Sequence, residues 1–411
     1  MPDTPTLHRS TPCTVALERR STPAAARAVL RLLERLRHGA LELRLPDGRN
    51  LRFGDADAGP RASLRAMNWN VFGAALRSGD IGFAESYIAG DWTTSDLPAL
   101  LRLLTANRDE IERAVYGSGW GRACHRIRHV LNRNSRRGSR KNIHAHYDLG
   151  NAFYRLWLDP TMNYSSAWFE GDRSRDLVAA QHAKTRRALA ECRVRPGDRV
   201  LEIGCGWGAL AECAALDFGA AVHGVTLSGE QLAWARQRLA DAGLQGDLQF
   251  RDYRDIVDGP FDAIASIEMF EAVGREYWPE FFGAVKRLLK PGGRACIQSI
   301  TIRDDLFERY VRSTDFIQQY IFPGGLLPSP SAFRAAAEAA GLRIVAELGF
   351  GPDYAETLRR WRARFLGAEG TVRQLGFDTR FLRIWDFYLA YCEAAFDTGN
   401  TSVMQFTLQH A

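Results

Sequence analysis

The sequence predicts an α/β protein: a doubly wound, Rossmann-like sheet with a smaller N-terminal α+β domain ahead of it. Three observations carry the prediction. From about residue 142, apolar strand-like runs alternate with helical patterns, as a mostly parallel sheet requires. The first of those runs, Val200 to Ile203, leads into Gly204-Cys205-Gly206-Trp207-Gly208, and a helical pattern follows from Ala209 to Leu216. Residues 23–115 lack this alternation and carry a helix, a hairpin and a mixed segment.

Residues 1–22 read as a disordered tail. Val29, Leu30, Leu33 and Leu36 then fall at helical spacing within 24–37. Leu41 to Leu45 alternates like a strand, Pro46-Asp47-Gly48 is turn chemistry, and Leu51-Arg52-Phe53 alternates again, which predicts a hairpin. Residues 63–105 mix helix and strand, with Asp96-Leu97-Pro98 opening a helix. A basic segment, 116–141, links this domain to the next. It carries Arg122, Arg126, Arg128, Arg133, Arg136, Arg137, Arg140 and Lys141 with no acid between them. Trp120, Cys124, Ile127, Val130 and Leu131 lie near helical spacing in the same stretch. Two readings stand: a basic amphipathic helix on an anionic membrane surface, or a solvated linker. In the large domain, 142–411, the predicted strands are Arg199–Ile203, Ala221–Thr226, Leu248–Arg251, Phe261–Ile267, Arg294–Ile302 and Arg343–Leu348. Helices are predicted over Gly229–Ala242 and Trp278–Leu289, and Lys290-Pro291-Gly292-Gly293 reads as a turn.

Composition narrows the class. The chain of 411 residues is 46% apolar and 25% charged, as in a globular protein. No apolar run approaches the roughly 20 residues that span a bilayer, and Met1 to Arg20 lacks a signal-peptide core. The expectation is a cytoplasmic protein. The 7 cysteines are scattered and form no C-x-x-C pair, so neither a disulfide framework nor a metal site is predicted.

Glycines serve where a backbone turns sharply and approaches a ligand. Glu202, an acid just before the first glycine, suits S-adenosylmethionine better than a dinucleotide, since there is no pyrophosphate to cradle. Ligands of doubly wound sheets bind outside the carboxyl ends of the strands. Gly204–Gly208, Thr226, Asp252 and Glu268–Glu271 all fall on that edge.

Several segments in order resemble the cyclopropane-fatty-acyl-phospholipid synthase family, which includes fatty-acid and mycolic-acid methyltransferases. They are His146-Tyr147-Asp148-Leu149-Gly150-Asn151, Trp157 to Ser165, Val225 to Gln231, Met269 to Gly274, Tyr320 to Gly325 and Tyr354 to Leu358. Gly79 to Glu85 and Gly90-Asp91-Trp92 extend the resemblance into the first domain, so that it covers roughly residues 70–410. The resemblance implies S-adenosylmethionine as cofactor and a cis-unsaturated acyl chain of a phospholipid as substrate. It implies that Tyr164 and Ser165 close over the methionine end, and that Glu202, Gly204, Gly206 and Gly208 line the amino-acid and ribose side. Thr226 and Gln231 would be ribose contacts, and Asp252 and Tyr253 would sit by the adenine. It also implies a bound bicarbonate as base, held by Glu271, Tyr354 and the backbone of Ile300. Two departures alter that site. The family's usual Cys after Tyr-Ser is Ser166, and its usual His after the Pro-Gly-Gly turn is Gln298. Gln donates a hydrogen bond to an anion but carries no proton. Cys392 matches a cysteine once proposed for catalysis, although a buried structural thiol explains it as well. A homodimer and room for a reductase partner follow from the resemblance alone.

Methyl transfer to an alkene leaves a carbocation, so the site must exclude water and stabilise positive charge with aromatic faces. Tyr164, Trp168, Phe270, Tyr310, Phe316, Tyr320 and Tyr354 are the candidates. Proton loss from the added methyl closes a cyclopropane ring. A hydride shift followed by proton loss gives a methylene branch. Ring formation is the expected outcome, with branching as the alternative. A small-molecule or RNA methyltransferase would share the glycine turn, and the basic run would then bind nucleic acid. It would not need the His146–Asn151 and Phe322–Gly325 segments, so no nucleic acid is expected. A non-catalytic lipid binder would tolerate loss of Glu271, Tyr354 or the glycines, and all are present.

Overall fold

A computed structural model describes residues 22–108, 110 and 149–411. The predicted tail up to residue 21, the basic segment 116–141 and His146 to Asp148 lie outside the described residues.

The N-terminal unit begins with helix Ala24–Leu33, which buries Ala26, Leu30 and Leu33. The predicted hairpin is present as β1 (Ala40–Arg44) antiparallel to β2 (Asn50–Gly54). Strands β3 (Arg61–Ala66) and β4 (Trp92–Thr93) complete a sheet of order β2-β1-β3-β4, with β3 parallel to β1. Helix Leu97–Ala106 starts where Asp96 accepts the Ala99 N–H at 2.9 Å, the N-cap that Asp-Leu-Pro signals. Helix Asn70–Ala89 is bent at Gly79, whose φ of 57° and ψ of −131° exclude a side chain. Asp80 follows the bend and accepts the Tyr391 hydroxyl at 3.0 Å.

The large unit is a sheet of 7 strands in the order β10-β11-β9-β8-β5-β6-β7. These are β5 (Arg199–Ile203), β6 (Ala221–Thr226), β7 (Gly246–Phe250), β8 (Phe261–Ile267), β9 (Leu289–Ile302), β10 (Leu342–Gly349) and β11 (Thr401–His410). Four neighbouring pairs, β9-β8, β8-β5, β5-β6 and β6-β7, run parallel, while β11 is antiparallel to both β9 and β10. Helices cover both faces, so β5 is buried on each side from Val200 to Ile203, Glu202 included. One face packs Leu201, Ile203 and Ile264 against Phe270, Phe281 and Phe282. The other packs Val200 and Val222 against Ala188, Leu210 and Leu239.

Two elements differ from the sequence reading. The Lys290–Gly293 turn is a bulge within β9: Phe261 pairs with Leu289, Ala263 pairs with Arg294, and the residues between loop out at Gly292, with φ of 83°. Strand β11, next to the edge of the sheet, has no counterpart among the predicted strands. Its buried Gln405 and Thr407 interrupt the apolar run that would have marked it.

The two units share one core. Helix Thr379–Asp397 packs on the N-terminal unit, and Leu97, Leu100 and Leu103 join the same apolar cluster as Trp157, Trp361 and Trp385. The Tyr87 hydroxyl donates to Asp386 at 2.7 Å, and Arg102 pairs with Glu393 and Asp397.

Candidate active site

The carboxyl ends of β5, β6, β8 and β9 open on a cavity of about 330 Å³. The glycine turn forms its floor. Gly204, at φ of 85°, approaches Met269 so closely that an added Cβ would lie 2.9 Å from the Met269 side chain. Trp207 anchors the turn by donating its ring N–H to Asn151 at 2.7 Å, which gives the Leu149-Gly150-Asn151 part of the first motif its purpose. Ser228 caps helix Gly229–Asp241, and Thr226 donates to Gln231 at 3.1 Å. Asp252 accepts from Arg254 Nε at 2.8 Å and Nη2 at 2.6 Å. Glu202 is buried with Oε2 unmatched among the described residues, and burial pushes its carboxyl up to about 8. An orphaned acceptor beside a turn with room for a ligand fits the polar end of S-adenosylmethionine.

Of the residues expected at the cofactor, Tyr164, Ser165, Glu202, Gly204, Gly206, Thr226, Gln231, Asp252 and Tyr253 line the cavity. Gly208 lies between the lining residues Trp207 and Ala209 without lining the cavity itself. It turns at φ of 83° and packs on helix Gly229–Asp241, where a Cβ would meet Ala235 at 2.8 Å. The aromatic wall also differs. Tyr164, Tyr310 and Tyr354 face the cavity, joined by Phe322, Tyr388, Tyr391 and Phe396. Trp168, Phe270, Phe316 and Tyr320 pack elsewhere; Phe270 is buried among Trp278, Phe281 and Phe282.

The groups expected to hold a bicarbonate converge on a side chain instead. Glu268 follows β8 with a φ of 50°, a strained backbone for a residue with a Cβ. Its Oε1 accepts from the Ser166 N–H at 2.9 Å and from Gln298 Nε2 at 2.8 Å, and its Oε2 accepts from the Tyr354 hydroxyl at 2.7 Å. Gln298 is oriented by Gln405 of β11, which donates to its Oε1 at 3.0 Å. The register Ile267↔Gln298 between β8 and β9 brings the pair together. Ser166, Gln298 and Tyr354 are thereby engaged, and the residues as placed do not form an anion site. Burial raises the Glu268 carboxyl, opposed by the Ser166 N–H, the Lys184 ammonium, Tyr354 and Gln298. All three hydrogen-bond partners donate, which suits an acceptor-only carboxylate.

Glu271 lies one turn further on. Its Oε1 accepts the Ile300 N–H, so two groups expected to hold a bicarbonate bond each other, and its Oε2 is unmatched among the described residues. Burial and the neighbouring Glu268 push it up to about 8. Two carboxyl groups with different partners can divide acid and base roles. Cys392 lines the cavity, and burial pushes its thiol upward, so it is a wall residue and not a thiolate nucleophile.

The sequence reading did not single out Lys184 or name Glu268 as a base. Lys184 is fully buried and donates to Ser165 Oγ at 2.5 Å and Asn163 Oδ1 at 3.2 Å. In sequence it sits in an ordinary amphipathic helix. The Glu-x-x-Glu spacing of Glu268 and Glu271 is visible, but the donors that meet Glu268 come from three distant segments.

Sheet order, glycine turn and acid-lined cavity define a Rossmann-like methyltransferase that uses S-adenosylmethionine. The profile of the mycolic acid cyclopropane synthetase family matches residues 134–406, and the chain belongs to that family. It is 41% identical over 410 residues to the tuberculostearic acid methyltransferase UfaA1 of Mycobacterium tuberculosis, covering 97% of this chain and 94% of the relative. The cyclopropane-fatty-acyl-phospholipid synthase of Escherichia coli K12 is 35% identical over 349 residues, covering 84% and 87%. Among solved structures, the mycolic acid cyclopropane synthase CmaA1 complexed with SAH and CTAB superposes with a TM-score of 0.62 at 34% identity, covering 66% of this chain and 98% of that one. No helix among the described residues is long and apolar enough to cross a membrane.

Proposed function

We propose that this enzyme methylates the cis double bond of unsaturated acyl chains of membrane phospholipids and releases a methylene-branched chain, with Glu268 as the base. The carrying observation is the Glu268 carboxylate, fixed by Ser166, Gln298 and Tyr354 beside the glycine turn in a cavity walled by aromatic rings. When bound, S-adenosylmethionine supplies an electrophilic methyl group.

The alkene would attack that methyl with its π pair as the S–CH3 bond breaks and S-adenosylhomocysteine is left, and the adjacent acyl carbon would become cationic. Tyr164, Tyr388 and Phe322 line the cavity with aromatic surface that would stabilise the cation and exclude the water that captures it. A hydride shifts to the cationic carbon and leaves the charge on the methyl-bearing carbon. The carboxylate of Glu268 takes a proton from the new methyl, and the C–H pair becomes the exocyclic double bond. A raised proton affinity makes this carboxylate a more competent base. Glu271, neutral near pH 7, adds no second negative charge at the cation. Similarity to a named methyltransferase over nearly the whole chain supports branching. Ring closure is the second reading, favoured by the 35% identity to a cyclopropane synthase. Saturating the branch needs a separate reductase.

In this reading the enzyme is cytoplasmic, works as a homodimer and sits at the inner membrane surface, where the basic 122–141 segment meets anionic lipid. The test is incubation with S-adenosylmethionine and vesicles of cis-unsaturated phospholipid, with acyl products read by mass spectrometry and proton NMR. Exocyclic methylene protons support branching. High-field ring protons give the second reading. Lipid without an added carbon overturns both.

A further inference from the structure

Lys184 is the only lysine among the buried side chains of the described residues, and its charge has three acidic neighbours on three different segments. Glu268 follows β8, Asp159 lies on the loop before Asn163, and Glu202 ends β5 beside the glycine turn. The ammonium is fixed by hydrogen bonds to Ser165 and Asn163. One turn earlier on the same helix, Gln181 donates to the Ser165 carbonyl at 2.9 Å. The helix Leu177–Glu191 thus grips the Asn163–Ser166 strap twice, and the next N–H along that strap, of Ser166, is a donor to Glu268.

A buried ammonium is costly unless it is paired. Here no carboxylate is bonded to it directly; its hydrogen bonds go to a hydroxyl and an amide. The position therefore serves the field it projects as well as the contacts it makes. That field acts on Glu268 and Glu202 at once, the two carboxyls that face the base end and the cofactor end of the cavity. A positive charge nearby favours the ionised form of each. The other groups around Glu268 are Tyr354, Gln298, Ser166 and Glu271, and none of these is cationic.

We propose that Lys184 is a positioning residue that keeps Glu268 in its proton-accepting form and pins the Asn163–Ser166 strap against it. The proposal rests on Glu268 being the base. Burial brings the Lys184 ammonium itself down to about 8, so its charge is present at neutral pH and is lost in mildly alkaline solution.

The experiment is a pH–rate profile on phospholipid vesicles for the full chain, K184Q, K184M and E268Q, with S-adenosylhomocysteine affinity measured by calorimetry as a check on the cavity. K184Q keeps an amide that reaches toward Ser165, so it removes the charge and spares much of the grip. K184M removes both. The acidic limb of kcat moves up by about one pH unit in K184Q, which lowers kcat roughly tenfold at pH values below the limb and little above it, while S-adenosylhomocysteine affinity stays within about threefold of wild type. K184M falls further, because the strap is also released. An unmoved limb in a folded K184Q overturns the role of Lys184 and leaves Glu268 standing if E268Q abolishes turnover. An E268Q protein with wild-type rate and limb overturns the base assignment itself. Should K184Q not fold, the K184Q/E268Q double variant decides. Recovery of folding when the charge partner is neutralised supports the pairing, and continued unfolding overturns it.

Discussion

Replacing Glu268 with glycine tests the site most directly. The substitution removes a carboxylate that accepts three hydrogen bonds and leaves Ser166 N–H, Gln298 Nε2 and the Tyr354 hydroxyl aimed at one vacated volume. A positioned general base is worth about 10²–10⁴ in rate, so turnover falls by that range. Stability changes less. Each buried donor stripped of its acceptor costs about 1–3 kcal/mol. Relief of the φ of 50° returns about 1–2 kcal/mol, and water entering the space satisfies part of the rest. The net loss is about 2–4 kcal/mol, measurable by chemical denaturation. The assay is methyl transfer to cis-unsaturated phospholipid vesicles in buffers purged of carbon dioxide, then supplemented with bicarbonate. The donors left behind match a small planar anion, so bicarbonate raises the rate of E268G at least tenfold and has little effect on wild type. The reasoning fails if E268G turns over within about threefold of wild type in bicarbonate-free buffer, or if bicarbonate stimulates both proteins alike.

Other outcomes follow from the same geometry. Glu271 is raised from 4.5 to about 8, so the native state keeps a proton that the unfolded chain has released across that window. Stability therefore falls as pH climbs from about 4.5 to 8, and E271Q flattens that slope in melting curves, leaving the share due to Glu202. Tyr354→Phe removes one charge-assisted hydrogen bond to Glu268 and lowers kcat about 10- to 100-fold, with S-adenosylhomocysteine affinity unchanged by calorimetry. Gly208→Ala meets Ala235 at 2.8 Å with φ of 83° and costs about 2–4 kcal/mol on denaturation. Gly206→Ala meets nothing within 4 Å and costs only the backbone share of about 1–2 kcal/mol. Tyr87→Phe deletes the bond to Asp386 and destabilises the whole chain by about 1.5–3 kcal/mol in one transition, because the two units share a core.

The sequence was legible wherever the determinants are local. Strands β5, β6 and β8 appear at their predicted bounds because each is a short, mostly apolar run ended by glycine, a turn or an acid. The Asp96 cap and the hairpin turn follow from residues within a few positions of each other. The cofactor edge was readable for a related reason: in a parallel sheet, chain direction alone puts every strand's carboxyl end on one side. What escaped depends on distant partners. Strand β11 is polar at Gln405 because that amide bonds Gln298 across the sheet, and no local pattern encodes this. Glu268 becomes a hub only when the Ser166 loop, the β9 register and the Tyr354 helix meet. Lys184 reads like any solvated helix lysine until its helix is placed beneath the strap.

The insertion of β11 between β9 and β10 bears on how the chain is made. Residues 401–410 leave the ribosome after every other strand of this sheet, yet β10 pairs with no other strand and β9 stays bare on one flank until they arrive. A nascent chain that ends before residue 401 has its glycine turn and strands β5 to β8, but Gln298 lacks the amide that aims it at Glu268. The reactive half of the cavity is therefore assembled last, as a clasp. A fragment that ends before residue 401 therefore carries a cofactor edge without an aligned base.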